Sequence, residues 1–538
     1  MTILTVGASG SYQTIRAAVE AAAPGDVIEV ANGVYRESIA LDKPGVMVVA
    51  MEGHQPEING GYGPELFGAA GYTTRIGAAL KPNQLPYPTE DNARRGNWVI
   101  ARDQSAIVRL MADDTVFKGF IIRNVCGRGY RVYGKGAKLQ DCIIDFTYSG
   151  SGICDGDDNE VSGCTITRGS MKYFDPTVDN GKGTQTCIMT KGRNALIKNN
   201  RVAYHFGEGV GADKQSRGTR IIGNEIHTCL HWESGMNEAN GAVWEGNILY
   251  WPENLIPAMG KASASDLWVA GNEQEDEVMS AGPTFIGNLL IGGKEGLAVS
   301  NGQSGRPISF VGARFQRNTF IGTAATRYLI TWGTYKANPH KDVEFSDNVI
   351  LKHPAAAEDV KLFQGGGDVR WHHNLSNCEL PEALRGEGDI VTAAQVLANP
   401  FAEIRGQFNY KMLELPDVGT TLDLDNYRPV AGSLALVAGS DGGRVGALGL
   451  ADEQEPPDPP DDPGDPPDGD PPVLDIQAVI NHLAGVWGKM GESNQRFNTA
   501  LDTFNEALYI AGVARDDLKQ LMDWLQGPQG QGDKHHDE

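Results

Sequence analysis

Between residues 115 and 377 the apolar and polar positions trace one short figure again and again. TVFKGFIIRN, AKLQDCIIDF, NEVSGCTITR, ALIKNNRVAY, TRIIGNEIHT, AVWEGNILYW, PTFIGNLLIG, ARFQRNTFIG, DVEFSDNVIL and DVRWHHNLSN each carry it. In most, an apolar residue is followed by a polar one, then by Gly, Asp or Asn, then by Asn, then by residues that favour strands. Aligned on the turn, Phe120, Cys142, Cys164, Asn200, Asn224, Asn247, Asn288, Asn318, Asn348 and Asn374 share one register, at intervals of 22, 22, 36, 24, 23, 41, 30, 30 and 26 residues. Seven asparagines among ten repeats mark a position with a fixed job.

A chain whose repeats stack coil on coil brings equivalent positions to the inter-strand spacing of roughly 4.8 Å. An Asn there tolerates a left-handed bend and passes its amide hydrogen bonds to the Asn above and below. Where Phe120, Cys142 and Cys164 stand instead, apolar packing replaces the ladder. Intervals near 22 are minimal coils, whereas 36 and 41 are coils carrying inserted loops, and such insertions gather on the binding face of a solenoid. A sandwich is the first alternative and a propeller the second, but a propeller needs a period of roughly 40 to 50. The pattern predicts an all-β, single-stranded right-handed parallel β-helix of about ten or more coils.

Other periods flank this body. Ile15, Ala18, Val19 and Ala22 lie on one helical face, and Val27, Ile28 and Val30 are strand formers, which predicts a cap and first coil over residues 1–40 and a β-helix over 41–451. Residues 456–472, PPDPPDDPGDPPDGDPP, hold only Pro, Asp and Gly. Such a segment cannot offset the entropy of ordering its backbone, so 452–472 is a linker, and its residues 456–472 are extended over on the order of 50 Å by their prolines and mutual repulsion. Beyond it, Ile476, Ile480, Leu483, Trp487, Met490, Asn494, Phe497, Leu501, Phe504, Leu508, Ala511, Arg515, Leu518, Met522 and Leu525 advance in alternating steps of four and three. That is a heptad seam, with Asn494 at an a position that sets register and oligomer state. A coiled-coil-like helical tail over 473–527 is expected, a two-helix hairpin being the alternative because Gly485, Gly488, Gly491 and Gly512 weaken a continuous helix. Residues 528–538 are expected to be disordered.

Charge narrows the partners. The chain of 538 residues carries a net charge of −23, but nine acidic groups and no basic one lie in 452–472, and ten acidic against five basic in 473–538, which leaves the body near −9. Nothing here advertises a nucleic-acid partner, and no apolar run is long enough to insert into a bilayer. The N-terminal MTILTVGASGSYQTI lacks the charged and apolar regions of a Sec signal peptide. The seven cysteines show no metal-ligand spacing and are expected to be small buried hydrophobes.

Tyr12-Gln13-Thr14-Ile15-Arg16-Ala17-Ala18-Val19, Pro24-Gly25-Asp26-Val27-Ile28 and Gly33-Val34-Tyr35 resemble the entry into the right-handed β-helix of pectin-lyase-like proteins. Asp425-Asn426-Tyr427-Arg428-Pro429 through Val445-Gly446-Ala447-Leu448-Gly449 is similar to the closing segment of many of them. The resemblance covers roughly residues 1–450 and implies a helix capping the first coil. Together with the linker and the heptad tail, the chain looks like a phage tailspike or receptor-binding spike. That likeness implies a homotrimer on a virion, or released outside the cell, that binds cell-surface polysaccharide and attaches to a tail or baseplate through 473–527. A non-catalytic decoration protein and a bacterial polysaccharide lyase or glycoside hydrolase are the alternatives.

Residues suited to sugars concentrate between Lys172 and Glu277. Tyr173, Trp232 and Trp268 offer faces for pyranose rings, and His205, Lys214 and His231 offer polar contacts. Hydrolysis needs two carboxylates, roughly 5 to 5.5 Å or 6.5 to 9.5 Å apart, for which Glu208, Asp213, Glu233, Glu238 and Asp266 are candidates. Elimination from a uronate instead needs a base and a cation, which Lys191, Lys214, Arg217, His205 and His231 could supply. No cofactor is called for. Asp155-Gly156-Asp157-Asp158-Asn159-Glu160 is acidic enough for calcium but lacks EF-hand spacing, and a turn is the plainer reading.

Overall fold

A computed structural model describes residues 1–63, 99, 106–171, 186–213, 216–229, 232–237, 239–252, 265–270, 282–293, 295–300, 310–324, 326, 328–332, 341–356, 363–364, 369–379, 385–405 and 422–449. The linker over 452–472, the heptad segment over 473–527 and the C-terminal 528–538 lie outside the described residues, and with them the expected trimerisation and attachment.

The repeat figure becomes a coil of three strands. Val116–Lys118, Ile121–Val125 and Arg128–Val132 run in succession, and the chain then returns at Lys138–Gln140 beside the strand it began with. Repetition builds three parallel sheets of 13, 13 and 11 strands among the described residues. The first sheet runs from Ile3–Val6 to Val369–His372, the second from Val34–Tyr35 to Ile390–Val391, and the third from Ile39–Leu41 to Phe363–Gln364. This is the parallel β-helix that the periodicity predicts. The helix Ile15–Ala21 begins at Thr14, whose hydroxyl accepts the Ala17 N–H, and it buries Ile15, Ala18 and Val19 on the first strands.

Strand alternation sends one side chain per short strand into the helix. In the first sheet Leu139, Val161, Ile197, Ile221, Trp244, Phe285, Phe315 and Phe345 point inward and are buried. From Trp244 onward the column is a stack of aromatic rings, Trp244, Phe285, Phe315, Phe345 and Trp371, with centroids 5.0, 4.7, 4.3 and 4.4 Å apart. Offset stacks of this kind add about 0.5–1.5 kcal/mol per pair to the area they bury.

The corner from first to second sheet holds the asparagines. Each follows a left-handed residue, in order Asn199, Gly223, Gly246, Gly287, Arg317, Asp347 and His373. Asn200 donates its side-chain amide to Asn224 Oδ1 at 3.0 Å, and the bond repeats through Asn247, Asn288, Asn318, Asn348 and Asn374 at 2.9, 2.9, 2.9, 3.1 and 2.8 Å. The second amide hydrogen goes to a carbonyl one coil back, as from Asn288 to Trp244 at 3.0 Å. Each of these buried amides is thereby satisfied. At the N-terminal end the Cys164 N–H donates to Asn200 Oδ1 at 2.9 Å, so this coil joins the ladder through its backbone.

The corner from second to third sheet is built differently. Asn124, Phe146, Arg168, Tyr204 and Thr228 occupy one column there, all with φ between 47° and 57°. A left-handed conformation costs an L-residue roughly 1–2 kcal/mol, and only Asn is suited to it. The bulky side chains are held by packing: Arg168 is wholly buried, lies over Phe146 and binds both Asp145 oxygens at 2.8 and 2.5 Å.

The closing segment after Ile390 packs on the outside of the second sheet. Val396, Leu397, Tyr427, Ala435 and Val445 form a second core with Leu289, Ile291, Ile321, Val349 and Leu351. The strands beneath are buried on both faces, unlike the half-exposed Leu196–Lys198. All seven cysteines are free thiols and six are buried, as their strand contexts suggested.

Candidate carbohydrate-facing site

The third sheet carries or borders Glu208, Asp213 and Trp232 among the candidate residues. Val210–Ala212 and Trp232–Asn237 pair in parallel, with Val210 opposite Ser234, Gly211 opposite Gly235 and Ala212 opposite Met236. Val210 and Ala212 are buried in the helix, and Ser234 accepts the Trp244 indole N–H inside it at 2.9 Å. Alternation therefore turns Gly211 and Gly235 away from the interior of the helix, Gly211 buried beside Thr186 and Gly235 half-buried. Their row continues with Met189 on one side and Trp268 on the other. Glycine in a strand interior forfeits a side chain and marks a close approach by another group. Neither glycine is needed for a left-handed φ.

The margins of this two-coil notch carry polar groups. Thr186, Glu208 and Trp232 share one row, because Ile188 stands opposite Val210 and Val210 opposite Ser234. Thr186 Oγ1 donates to Glu208 Oε2 at 2.7 Å, and Trp232 is half-buried. At the other end of the strands, Lys191 Nζ lies 3.7 Å from Asp213 Oδ2, both groups partly exposed. A Cβ added at Gly211 would stand 3.0 Å from Thr186 Cγ2, so the threonine that holds Glu208 also covers the Gly211 position.

Glu208 and Asp213 are five residues apart along an extended strand, up to roughly 16 Å at about 3.3 Å per residue. Each carboxylate is drawn sideways to the preceding coil, Glu208 by Thr186 and Asp213 by Lys191. Glu233 is wholly buried and accepts the Cys229 N–H at 3.3 Å at the corner between sheets. Asp266 stands at the register position beside Glu233, since Trp232 pairs with Ser265 and Ser234 with Leu267. Glu238, Tyr173, Lys214 and His231 lie outside the described residues. Arg217 is exposed at the corner leading back to the first sheet, away from the notch.

His205 is wholly buried, 3.5 Å from Ser170 Oγ, and burial depresses its pKa to about 3. It is therefore neutral at ordinary pH and does not face solvent. A residue that the repeat figure contained but did not mark is His227, also buried and depressed to about 3 by burial. It stacks on Tyr250 at 4.6 Å and meets Tyr204 edge-on at 5.3 Å.

The acidic run over 155–160 is stitched to neighbouring coils. Asp155 pairs with Arg131, Asp157 accepts the Arg193 N–H at 2.8 Å, Asp158 accepts the Asn194 amide at 3.0 Å, and Asn159 accepts the Ala137 N–H at 3.2 Å. These bonds belong to a turn.

Residues 105–273 match the family described as the right handed beta helix region. The three-sheet coil defines the same class from geometry. Among solved structures, the chain is similar to pectate lyase Pel9A, with 14% identity over 84% of this chain and 96% of that one and a TM-score of 0.46. The polysaccharide lyase Pedsa3628 from Pseudopedobacter saltans matches with 14% identity over 69% and 93% of the two chains and a TM-score of 0.39. PfbA, a surface adhesin of Streptococcus pneumoniae, matches with 10% identity over 67% and 84% and a TM-score of 0.40. No curated protein matches the sequence. Among the described residues no helix is long and apolar enough to cross a membrane.

Proposed function

We propose that this protein is a spike that grips an extended polysaccharide on the outer face of the third sheet. The observation that carries the reading is the in-register pair Gly211 and Gly235, which leaves two adjacent coils without a side chain at the position turned from the interior, Gly235 half-buried and Gly211 buried beside Thr186. Pyranose rings bury their apolar faces against flat surfaces and stack on indoles, and the half-buried Trp232 stands at the margin. Glu208 and the Lys191–Asp213 pair supply acceptors and a donor for sugar hydroxyls. The β-helix serves as a stiff platform, the Pro/Asp linker as a spacer, and the heptad tail as a trimerising attachment to a phage-type tail. Host cell-surface polysaccharide is the ligand this arrangement suits.

A panel of bacterial surface polysaccharides tests the reading. The native chain binds at least one, and Gly235→Leu, which fills the notch, weakens that binding tenfold or more while the melting temperature stays within a few degrees. Equal binding by Gly235→Leu and Trp232→Ala overturns the assignment of the face. The same incubations report turnover: new reducing ends mark hydrolysis, ultraviolet-absorbing unsaturated ends mark elimination, and intact polymer marks a purely binding spike.

A further inference from the structure

Adjacent histidines close the first sheet far along the chain from the glycine notch. His372 ends the strand Val369–His372 and lies opposite Ser346, while His373 takes the left-handed corner position at φ 56°. Their rings are nearly perpendicular, at 88°, and their Nδ1 atoms are 3.1 Å apart. The other nitrogen of His372, Nε2, lies 3.3 Å from Glu344 Oε1. Both histidines are partly exposed, so solvent reaches the pair.

We propose that His372 and His373 form a binding site for a late first-row divalent cation, with Cu²⁺ held most tightly. Two metal–nitrogen bonds of about 2.1 Å closing on this separation subtend about 95°, the angle between neighbouring ligands in tetragonal coordination. Imidazole suits Cu²⁺, Ni²⁺ and Zn²⁺, and the stability order places Cu²⁺ first. Glu344 supplies the usual outer partner: a carboxylate that accepts the distal N–H of a ligating histidine fixes its tautomer and leaves Nδ1 free to coordinate. Arg314 and Arg370 hold the other oxygen of Glu344, at 3.8 and 3.0 Å, and Oε1 lies toward the histidine, where it also accepts from Gln316 Nε2 and Ser346 Oγ at 3.3 Å each. Among the described residues no three His, Cys, Asp or Glu side chains gather as a fuller cluster, so water completes the coordination sphere.

The alternative use of the same geometry is a hydrogen bond between the two rings, and titration with the metal separates them. The full chain is used with His535 and His536 replaced by alanine, because that adjacent pair near the C-terminus could bind the same ion. Titrated with CuCl₂, then NiCl₂ or ZnCl₂, it takes up one Cu²⁺ with a nitrogen-coupled electron paramagnetic resonance spectrum. His372→Gln and His373→Asn each abolish that signal, Asn being chosen because it tolerates the left-handed φ. Glu344→Gln removes no ligand yet weakens uptake by about 10–100-fold. Absence of stoichiometric Cu²⁺ uptake, or uptake unchanged in folded His372→Gln and His373→Asn, overturns the proposal.

Discussion

Asp389 receives both the backbone N–H and the side-chain amide of Asn374 on a single oxygen, at 2.8 and 3.1 Å, and ends the asparagine ladder. Its other oxygen accepts the Gly386 N–H at 2.7 Å. A carboxylate suits this place because it accepts everywhere and donates nowhere. Asp389→Ala leaves the two Asn374 donors without their acceptor and is expected to cost about 2–3 kcal/mol in urea unfolding. Asp389→Asn retains one acceptor oxygen and should cost less than half of that. Equal losses in the two variants contradict the terminator role.

The ring stack sets a larger scale. Phe315 lies between Phe285 and Phe345 and is wholly buried. Phe315→Ala opens a cavity between two rings that the rigid coils cannot close, and should cost about 3–5 kcal/mol. Phe315→Leu, which keeps most of the volume, should recover more than half, read by the same unfolding measurement.

Gly152 faces the Tyr130 ring inside the helix, where an added Cβ would stand 1.9 Å from the ring carbon Cζ. Gly152→Ala should be among the most destabilising single methyl additions in this chain. Removing the obstacle with Tyr130→Ala should make a subsequent Gly152→Ala nearly neutral, so the coupling in the double-mutant cycle is large and favourable. Additive effects would mean that the ring is not what excludes the methyl.

His205 and His227 make stability depend on pH. Both are neutral in the folded chain with pKa about 3, against about 6.5 when exposed on unfolding. The unfolded state therefore takes up protons first, and stability is fully present above about pH 6.5 and is lost as pH falls toward 3. The loss amounts to several kcal/mol at most for each group, on the order of 1.4 per pH unit. His227→Phe preserves stacking on Tyr250 and should flatten the curve between pH 6 and 4, followed by urea unfolding at each pH.

Thr186→Val removes the donor to Glu208 without changing side-chain shape. Polysaccharide binding should weaken severalfold with an unchanged melting temperature, and Thr186→Ser should restore it. A loss that Ser does not repair points to packing beside Gly211 instead.

The asparagine register is a case in which the linear pattern carried the fold. Every coil must turn at the same place with the same backbone bend, so Asn200 through Asn374 recur at readable intervals and their hydrogen-bond partners follow from stacking alone. The face of the first helix, Ile15, Ala18, Val19 and Ala22, was legible for the same reason: burial there repeats with the local period. Neither the bulky left-handed corner at Phe146, Arg168 and Tyr204 nor the Trp244-to-Trp371 stack was read, because each residue looks ordinary until its coil neighbours are placed beside it.

The candidate site divides the same way. Composition between Lys172 and Glu277 drew attention to Glu208, Asp213, Trp232 and Trp268, which the third sheet carries, and equally to His205 and Glu233, which are buried. Charge and aromaticity are properties of single residues, but exposure depends on which way a strand turns at a corner. By itself the sequence determined a stacked parallel coil, its asparagine-lined turn, and a change of character after residue 451, since these follow from local repetition. Only the tertiary structure decided that Gly211 meets Gly235 on an outer face, that Asp389 ends the ladder, and that His372 and His373 turn their nitrogens together. Those relationships join positions 24 or 15 residues apart, or adjacent residues on either side of a bend, and register between coils is set by packing of the whole stack.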